Sequence, residues 1–278
     1  MTPKAPLLPW GDRTGVMAVL NLTPDSFSDG GRLQGPAMVL SAARRALAQG
    51  ADVLDLGAQS SRPGAVAVGA EEECRRLLPA LALLRQQLGP APLISVDTTL
   101  AAVAAAALEV GADWINDVSG GRGDPDLWPL LGRRGCPLVL MHSRGDSTTM
   151  DELARYDDVC GEVEAELLQA TEAACRAGVA ADRILWDPGL GFAKTSEQNL
   201  TLLAGLPQLG RHGFPLLVGP SRKRFIGAVL QESRPRARLW GTAASVCRAI
   251  AGGARVVRVH DVGPIVQTCR MADALWPR

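Results

Sequence analysis

The chain has 278 residues, 47% of them hydrophobic, with 29 Lys+Arg against 29 Asp+Glu and a formal net charge of zero. That apolar content excludes a disordered chain, and the balanced charge excludes a basic field for nucleic acid or a membrane surface, though a local basic pocket stays open. No apolar run reaches the ~18 residues of a membrane span, and the opening MTPKAPLLPWGDR lacks the unbroken ~7–15-residue apolar core of a signal peptide, so the cytoplasm is the expected setting.

The first predicted strand is VMAVL at 16–20. It stops at Asn21 and opens into a run of loop formers, Thr23, Pro24, Asp25, Ser26, Ser28, Asp29, Gly30 and Gly31. An apolar strand that ends in an amide makes sense if its tip is a working surface. A helix is predicted over 36–49, stopped by Gly50. The strand 51–57 follows, with Asp55 inside it, which is costly to bury without a partner. The loop AQSSRPGA comes next, then a helix over 71–88 with an acidic first turn that suits the helix dipole.

Strand 92–97 ends in Asp97, and an alanine-rich helix covers 99–110. Strand 112–117 ends in Asn116 and Asp117, before a short helix over 125–134. Strand 137–142 ends in His142, and 151–177 reads as one long helix or two. Strand 183–187 ends in Asp187, ahead of the loop PGLGFAKT and a helix over 196–205. Strand 214–221 ends in Ser221, with Arg222, Lys223 and Arg224 directly behind, and helical segments are predicted over 222–230 and 236–251. Strand 254–260 carries Arg258 and His260, and a helix over 261–275 closes the chain.

Eight alternating strand–helix units with no hairpin signal predict a parallel sheet, and that number predicts closure into an α/β (β/α)8 TIM barrel of roughly 250 residues. The barrel is taken as a single domain over 1–278, with 1–13 as an N-terminal extension. An open doubly wound sheet is the alternative, but the GxGxxG turn usual after its first strand is absent. The six cysteines form no CxxC pair and read as reduced thiols.

The C-terminal strand ends of such a barrel face one mouth, where its chemistry lies. The tips here are Asn21, Gly57 leading to Ser61 and Arg62, Asp97, Asn116, His142, Asp187, Ser221 with Lys223, and Arg258 with His260. Arg258 and His260 are two apart and share a strand face, with Val257 and Val259 turned toward the helices. They suit an anion site, since an Arg fork grips phosphate oxygens; a structural Arg–carboxylate pair is the other reading. Lys223 at a helix start suits an anion or a solvated basic turn. Asp187 before Pro188 and Gly189 can pair with the N–H edge of a heterocycle or cap a tight turn. His142 can line the wall or bond a neighbour.

Seven segments, in order, resemble the dihydropteroate synthases of the pterin-binding enzymes: LNLTPDSFSDGG at 20–31, SRPGA at 61–65, SVDTT at 95–99, INDVSGG at 115–121, DPGLGF at 187–192, GPSRKRFIG at 219–227 and RVHDV at 258–262. The resemblance runs from Val16 to the final helix. It implies a TIM barrel that joins (7,8-dihydropterin-6-yl)methyl diphosphate to 4-aminobenzoate, giving 7,8-dihydropteroate and diphosphate in folate synthesis. It implies that Asp97, Asn116, Asp187 and Lys223 hold the pterin, that Asn21 ligates Mg²⁺, and that Ser61, Arg62, Arg258 and His260 hold the diphosphate. Ser221, Phe192, Pro63 and Phe27 would frame the aminobenzoate, and Lys223, Arg258, His260 and Asp97 would carry the catalytic work. A homodimer is implied by the resemblance alone.

The chain departs from the family's usual GGESTRPG loop, having Gln59 for the Glu and Ser61 for the Thr, and its SRGDSTTM after His142 is also unusual. Corrinoid methyltransferases acting on methyltetrahydrofolate share the pterin-binding barrel but need no diphosphate site. A non-catalytic pterin-binding paralogue would be expected to lose Asn21, Arg62, Lys223 or His260. The TPDSFSDGG loop, SRK and RVH favour the synthase reading over both.

Overall fold

The computed structural model describes residues 11–22, 35–60, 64–66 and 68–277. Eight parallel strands close into a barrel in sequence order: β1 Gly15–Asn21, β2 Val53–Gly57, β3 Leu93–Asp97, β4 Trp114–Asp117, β5 Leu138–Met141, β6 Ile184–Asp187, β7 Leu216–Val218 and β8 Ala254–Val259. The pairing of Gly15 with Val256 through Ala18 with Val259 seals β1 to β8. This is the predicted TIM barrel, and the doubly wound alternative is excluded by the closure.

Helices α1 Pro36–Ala48, α2 Ala70–Leu88, α3 Ala101–Val110, α4 Leu127–Arg134, α5 Val159–Arg176, α6 Ser196–Ala204, α7 Leu206–Gly210, α8 Arg224–Leu230, α9 Leu239–Ala251 and α10 Val262–Leu275 ring it. Several predicted bounds shift for local reasons. The helix predicted from 151 starts only at Val159, where the Asp158 carboxylate caps the Cys160 N–H. The strand predicted over 214–221 pairs only across Leu216–Val218, because Pro220 offers no N–H to the ladder. The helix predicted from 222 begins at Arg224, since Arg222 takes φ +61° and cannot be a helical residue. The chain between 196 and 210 forms two short helices, α6 and α7, meeting at Gly205, where one ending at 205 was predicted.

Strand periodicity of two splits the apolar residues into two layers. Val16, Leu54, Ile94, Ile115, Leu138, Ile184, Val218 and Val257 face outward into the core beneath the helices. Met17, Val53, Leu93, Trp114, Val139, Leu185, Leu217 and Val256 face inward, one from each strand, and fill the barrel. Each large apolar side chain so buried stabilises by about 1.5–3 kcal/mol. This floor lets the barrel support charge immediately above it. Two residues further along β2, β3, β4, β6 and β8 the inward positions are Asp55, Ser95, Asn116, Asp187 and Arg258. The interior therefore turns from oil to ions within one strand repeat.

Candidate active site

The polar layer is organised by Arg258. Its Nε donates to Asp55 Oδ2 at 2.6 Å and its Nη2 to Asp97 Oδ2 at 2.8 Å. Asp55 thus has the partner that its burial in a strand demanded. The Arg–carboxylate pair, offered above as the other reading of Arg258, is present and doubled. The physical reason is that a carboxylate with 0% of its side chain exposed needs a cation, and β8 is where one reaches it. Two carboxylates share that one guanidinium. Burial, opposed by Arg258 and reinforced by Asp55, raises Asp97 to about 7. Burial would lower Arg258, but Asp55 and Asp97 outweigh it and raise its pKa.

Three oxygens of this layer, Asp55 Oδ1, Ser95 Oγ and Asn116 Oδ1, are buried without a hydrogen-bond partner among the described residues. Native interiors seldom leave such acceptors open, so the three mark a candidate site for donors that arrive with a ligand. Asn21 and Asp97 close over it from β1 and β3. Gly57 lies between them, and a Cβ there would come 3.5 Å from Asp97 Cβ and 3.7 Å from Asn21 Oδ1. Both are ordinary contact distances, so the tip of β2 lies directly between Asn21 and Asp97.

Asp187 is buried, and one of its oxygens, Oδ1, accepts from the Gly189 N–H at 2.8 Å. It serves the tight turn, as one of its two readings had it, and also faces charge. Burial raises its pKa, with Lys223, Arg258 and Lys194 pulling the other way. Lys223 caps α8 and sets its Nζ 4.1 Å from the centre of the Phe192 ring. Burial first, then Arg258, lowers Lys223 to about 8 against the pull of Asp187 and Asp97. Lys223 is thus packed among charges and an aromatic ring, so the solvated-turn reading does not hold.

Ser221 and His260 meet at the tips of β7 and β8. The His260 backbone N–H donates to Ser221 Oγ at 3.1 Å, and Oγ lies 3.0 Å from Nδ1. The one hydroxyl thus ties both the backbone and the ring of His260 to the tip of β7. Arg222 ties the same two loops with a fork onto both Asp261 oxygens, at 3.0 and 2.6 Å. His142 does bond neighbours, Glu166 and Lys194. Gln59 Oε1 accepts from the Val68 N–H at 3.2 Å, so this departure from the family pattern serves the second loop's backbone.

The structure brings together Asn21, Asp97, Asn116, Asp187, Phe192, Ser221, Lys223, Arg258 and His260 at one end of the barrel. Phe27, Ser61, Arg62 and Pro63 lie outside the described residues. Sequence reasoning missed the roles of Arg222, Asp261 and Lys194. For Arg222 the available signal was three consecutive cationic residues, too many for one ligand contact each. At the opposite end, a cleft of about 500 Å³ between Arg13, Asp52, Leu88 and Leu93 has its two charges already paired to each other.

The sequence profile of the pterin binding enzymes matches residues 17–260. A dihydropteroate synthase of Synechocystis is 49% identical over 97% of this chain and 93% of its own. The dihydropteroate synthase of Xanthomonas albilineans, solved with 4-aminobenzoic acid, superposes with a TM-score of 0.89 at 40% identity, covering 96% of this chain and 94% of that one. The same enzyme in complex with 7,8-dihydropteroate gives 0.86 at 38%, covering 96% and 95%. The chain belongs to the pterin-binding enzymes and, within them, to the dihydropteroate synthases, transferases of folate biosynthesis.

Proposed function

We propose that the mouth joins (7,8-dihydropterin-6-yl)methyl diphosphate to 4-aminobenzoate by letting diphosphate leave before the amine adds. The observation that carries this reading is the set of open buried acceptors, Asp55 Oδ1, Ser95 Oγ and Asn116 Oδ1, above an apolar floor. A flat heterocycle with several N–H donors and a buried ring matches that arrangement. Asp187 and Asn116 take its donor edge, Asp97 holds the far side, and Lys223 with Phe192 closes over the ring.

The C–O bond to diphosphate breaks with its electron pair leaving on oxygen. The electron-rich dihydropterin spreads the positive charge left on the methylene carbon. The aminobenzoate nitrogen then adds to that carbon and gives up a proton. No protein nucleophile takes part. Arg258 and His260, with Arg62, meet the charge growing on the departing oxygens. Ser61 binds the diphosphate beside them, and Ser221, Phe192, Pro63 and Phe27 frame the aminobenzoate. Holding two substrates in register can supply about 7–11 kcal/mol of barrier reduction.

Asn21 offers an amide oxygen at the mouth, the hard donor that Mg²⁺ takes. When bound, Mg²⁺ supplies further positive charge to the diphosphate. A homodimer fits the apolar surface of α8 and α9, where Val229 is 60% and Trp240 78% exposed. A cytoplasmic setting fits the six free cysteines. The test is incubation with both substrates and Mg²⁺, assaying diphosphate and dihydropteroate together; equal yields support the reading, and diphosphate without dihydropteroate refutes it.

A further inference from the structure

Lys194 is buried, and the condensation gives it no step. Its Nζ lies 2.9 Å from His142 Nδ1, 3.2 Å from the Gly189 carbonyl and 3.1 Å from the Phe192 carbonyl. Burial, against the pull of Asp187 and Glu166, lowers Lys194 to about 7, and below that pH it is an ammonium with three N–H donors for the three acceptors here. His142 must then present a lone pair at Nδ1, so its ring proton sits on Nε2 and points to Glu166 Oε2 at 3.0 Å. Arg144 holds Glu166 from the other side and stacks 3.9 Å over the Tyr156 ring. Burial and Lys194 lower His142 to about 4, which keeps it neutral as this arrangement requires.

The loop that Lys194 gathers has no slack. A Cβ on Gly189, at φ +71°, would come 1.8 Å from the His142 carbonyl oxygen, so this turn admits glycine alone. The His142 N–H donates to the Asp187 carbonyl at 2.8 Å. Position 191 packs so closely that a Cβ would stand 2.7 Å from Lys223 Cδ. Ala193 is held at φ +47°. The path of residues 188–193 therefore decides where Asp187 and Lys223 stand.

We propose that Lys194 is a positioning residue for pterin binding: its ammonium holds the Gly189 and Phe192 carbonyls and the Nδ1 of His142 around one point and so fixes the loop that places Asp187 and the Phe192 ring beneath Lys223. This rests on the pterin-holding roles of Asp187 and Lys223 given above. Three variants test it, Lys194→Met, His142→Gln and His142→Asn. Gln keeps a donor near the Nε2 position but removes the acceptor for Lys194. Asn keeps an acceptor near the Nδ1 position and loses the contact to Glu166.

Binding of the pterin diphosphate alone is measured for each folded variant, alongside thermal melting. Lys194→Met and His142→Gln are expected to weaken binding tenfold or more, and His142→Asn threefold or less. A merely structural role would lower the melting temperature of both His142 variants alike without separating their affinities. Binding within twofold of wild type for His142→Gln, or equal losses for the two His142 variants, would overturn the proposal. If Lys194→Met does not fold, the His142 pair decides. Wild-type protein that binds no pterin diphosphate would overturn the underlying reading as well, and so differs from failure of the loop contact alone.

Discussion

Arg258→Met removes the one cation that Asp55 and Asp97 share while keeping a long apolar stem. Asp55 has 0% of its side chain exposed and Asp97 12%, so neither can recover its hydration. Breaking a buried pair by deleting one partner costs about 3–5 kcal/mol. At roughly 2–3 °C per kcal/mol for a chain of this size, melting should fall by about 6–15 °C. The loss must depend on pH. A carboxyl whose folded pKa is raised binds more protons folded than unfolded, so its contribution is present at low pH and lost as pH rises through the folded value. In the wild type Asp97 does this between its ordinary 3.8 and about 7. Without Arg258, Asp97 loses the cation that holds its pKa down, and its protonation at low pH relieves its repulsion with Asp55. Thermal melts of both proteins at pH 5.5 and pH 8.5 should show the full drop at the higher pH and less than half of it at the lower. An equal drop at both, or none at pH 8.5, would refute the view that a shared cation holds this layer together.

Lys223→Ala should abolish turnover while circular dichroism and melting stay near wild type, because the side chain lies over Phe192 at the rim and the barrel floor is untouched; normal turnover would remove Lys223 from the pterin site. With Lys223 lowered to about 8, its charge is lost as pH rises through that value, so the rate should fall along an alkaline limb centred near pH 8. Asp187→Asn keeps an oxygen for the Gly189 N–H, so the turn should survive while pterin binding is lost, read by direct titration with the pterin diphosphate. Turnover should stop in excess chelator and return with added Mg²⁺; full activity in chelator would remove the metal from Asn21.

The fold was legible because its signals are local. Apolar runs of strand length alternate with helical spacing eight times, and every run but that of β2, which stops at Gly57, ends at or beside a polar residue. Boundaries moved where a single residue overrides the pattern, as Pro220 does in β7, Asp158 at the start of α5, and Arg222 in its left-handed conformation. None of these changes the order of elements, so none disturbs the barrel.

The site was legible as a set of tips but not as a set of pairs. Arg258 reaches Asp55 across 203 residues and Asp97 across 161, and no spacing rule spans such separations. Periodicity put Arg258 on the inner face correctly, yet an inner face at the mouth admits an anion or a carboxylate equally. What decides between them is Asp55, the carboxylate that the sequence had set inside an apolar strand without a partner. Because burial makes that charge intolerable alone, a cation had to come from elsewhere in the barrel, and only β1 and β3 flank β2. Neither neighbour carries a cation on its strand, so the partner had to reach past a neighbour, and Arg258 on β8, one strand beyond β1, is long enough to do so. In the proposed reaction the same guanidinium that pairs with Asp55 and Asp97 meets the departing diphosphate. Asp55 and Asp97 hold it in position before substrate arrives, which is the condition for a cation to stabilise developing charge without rearranging.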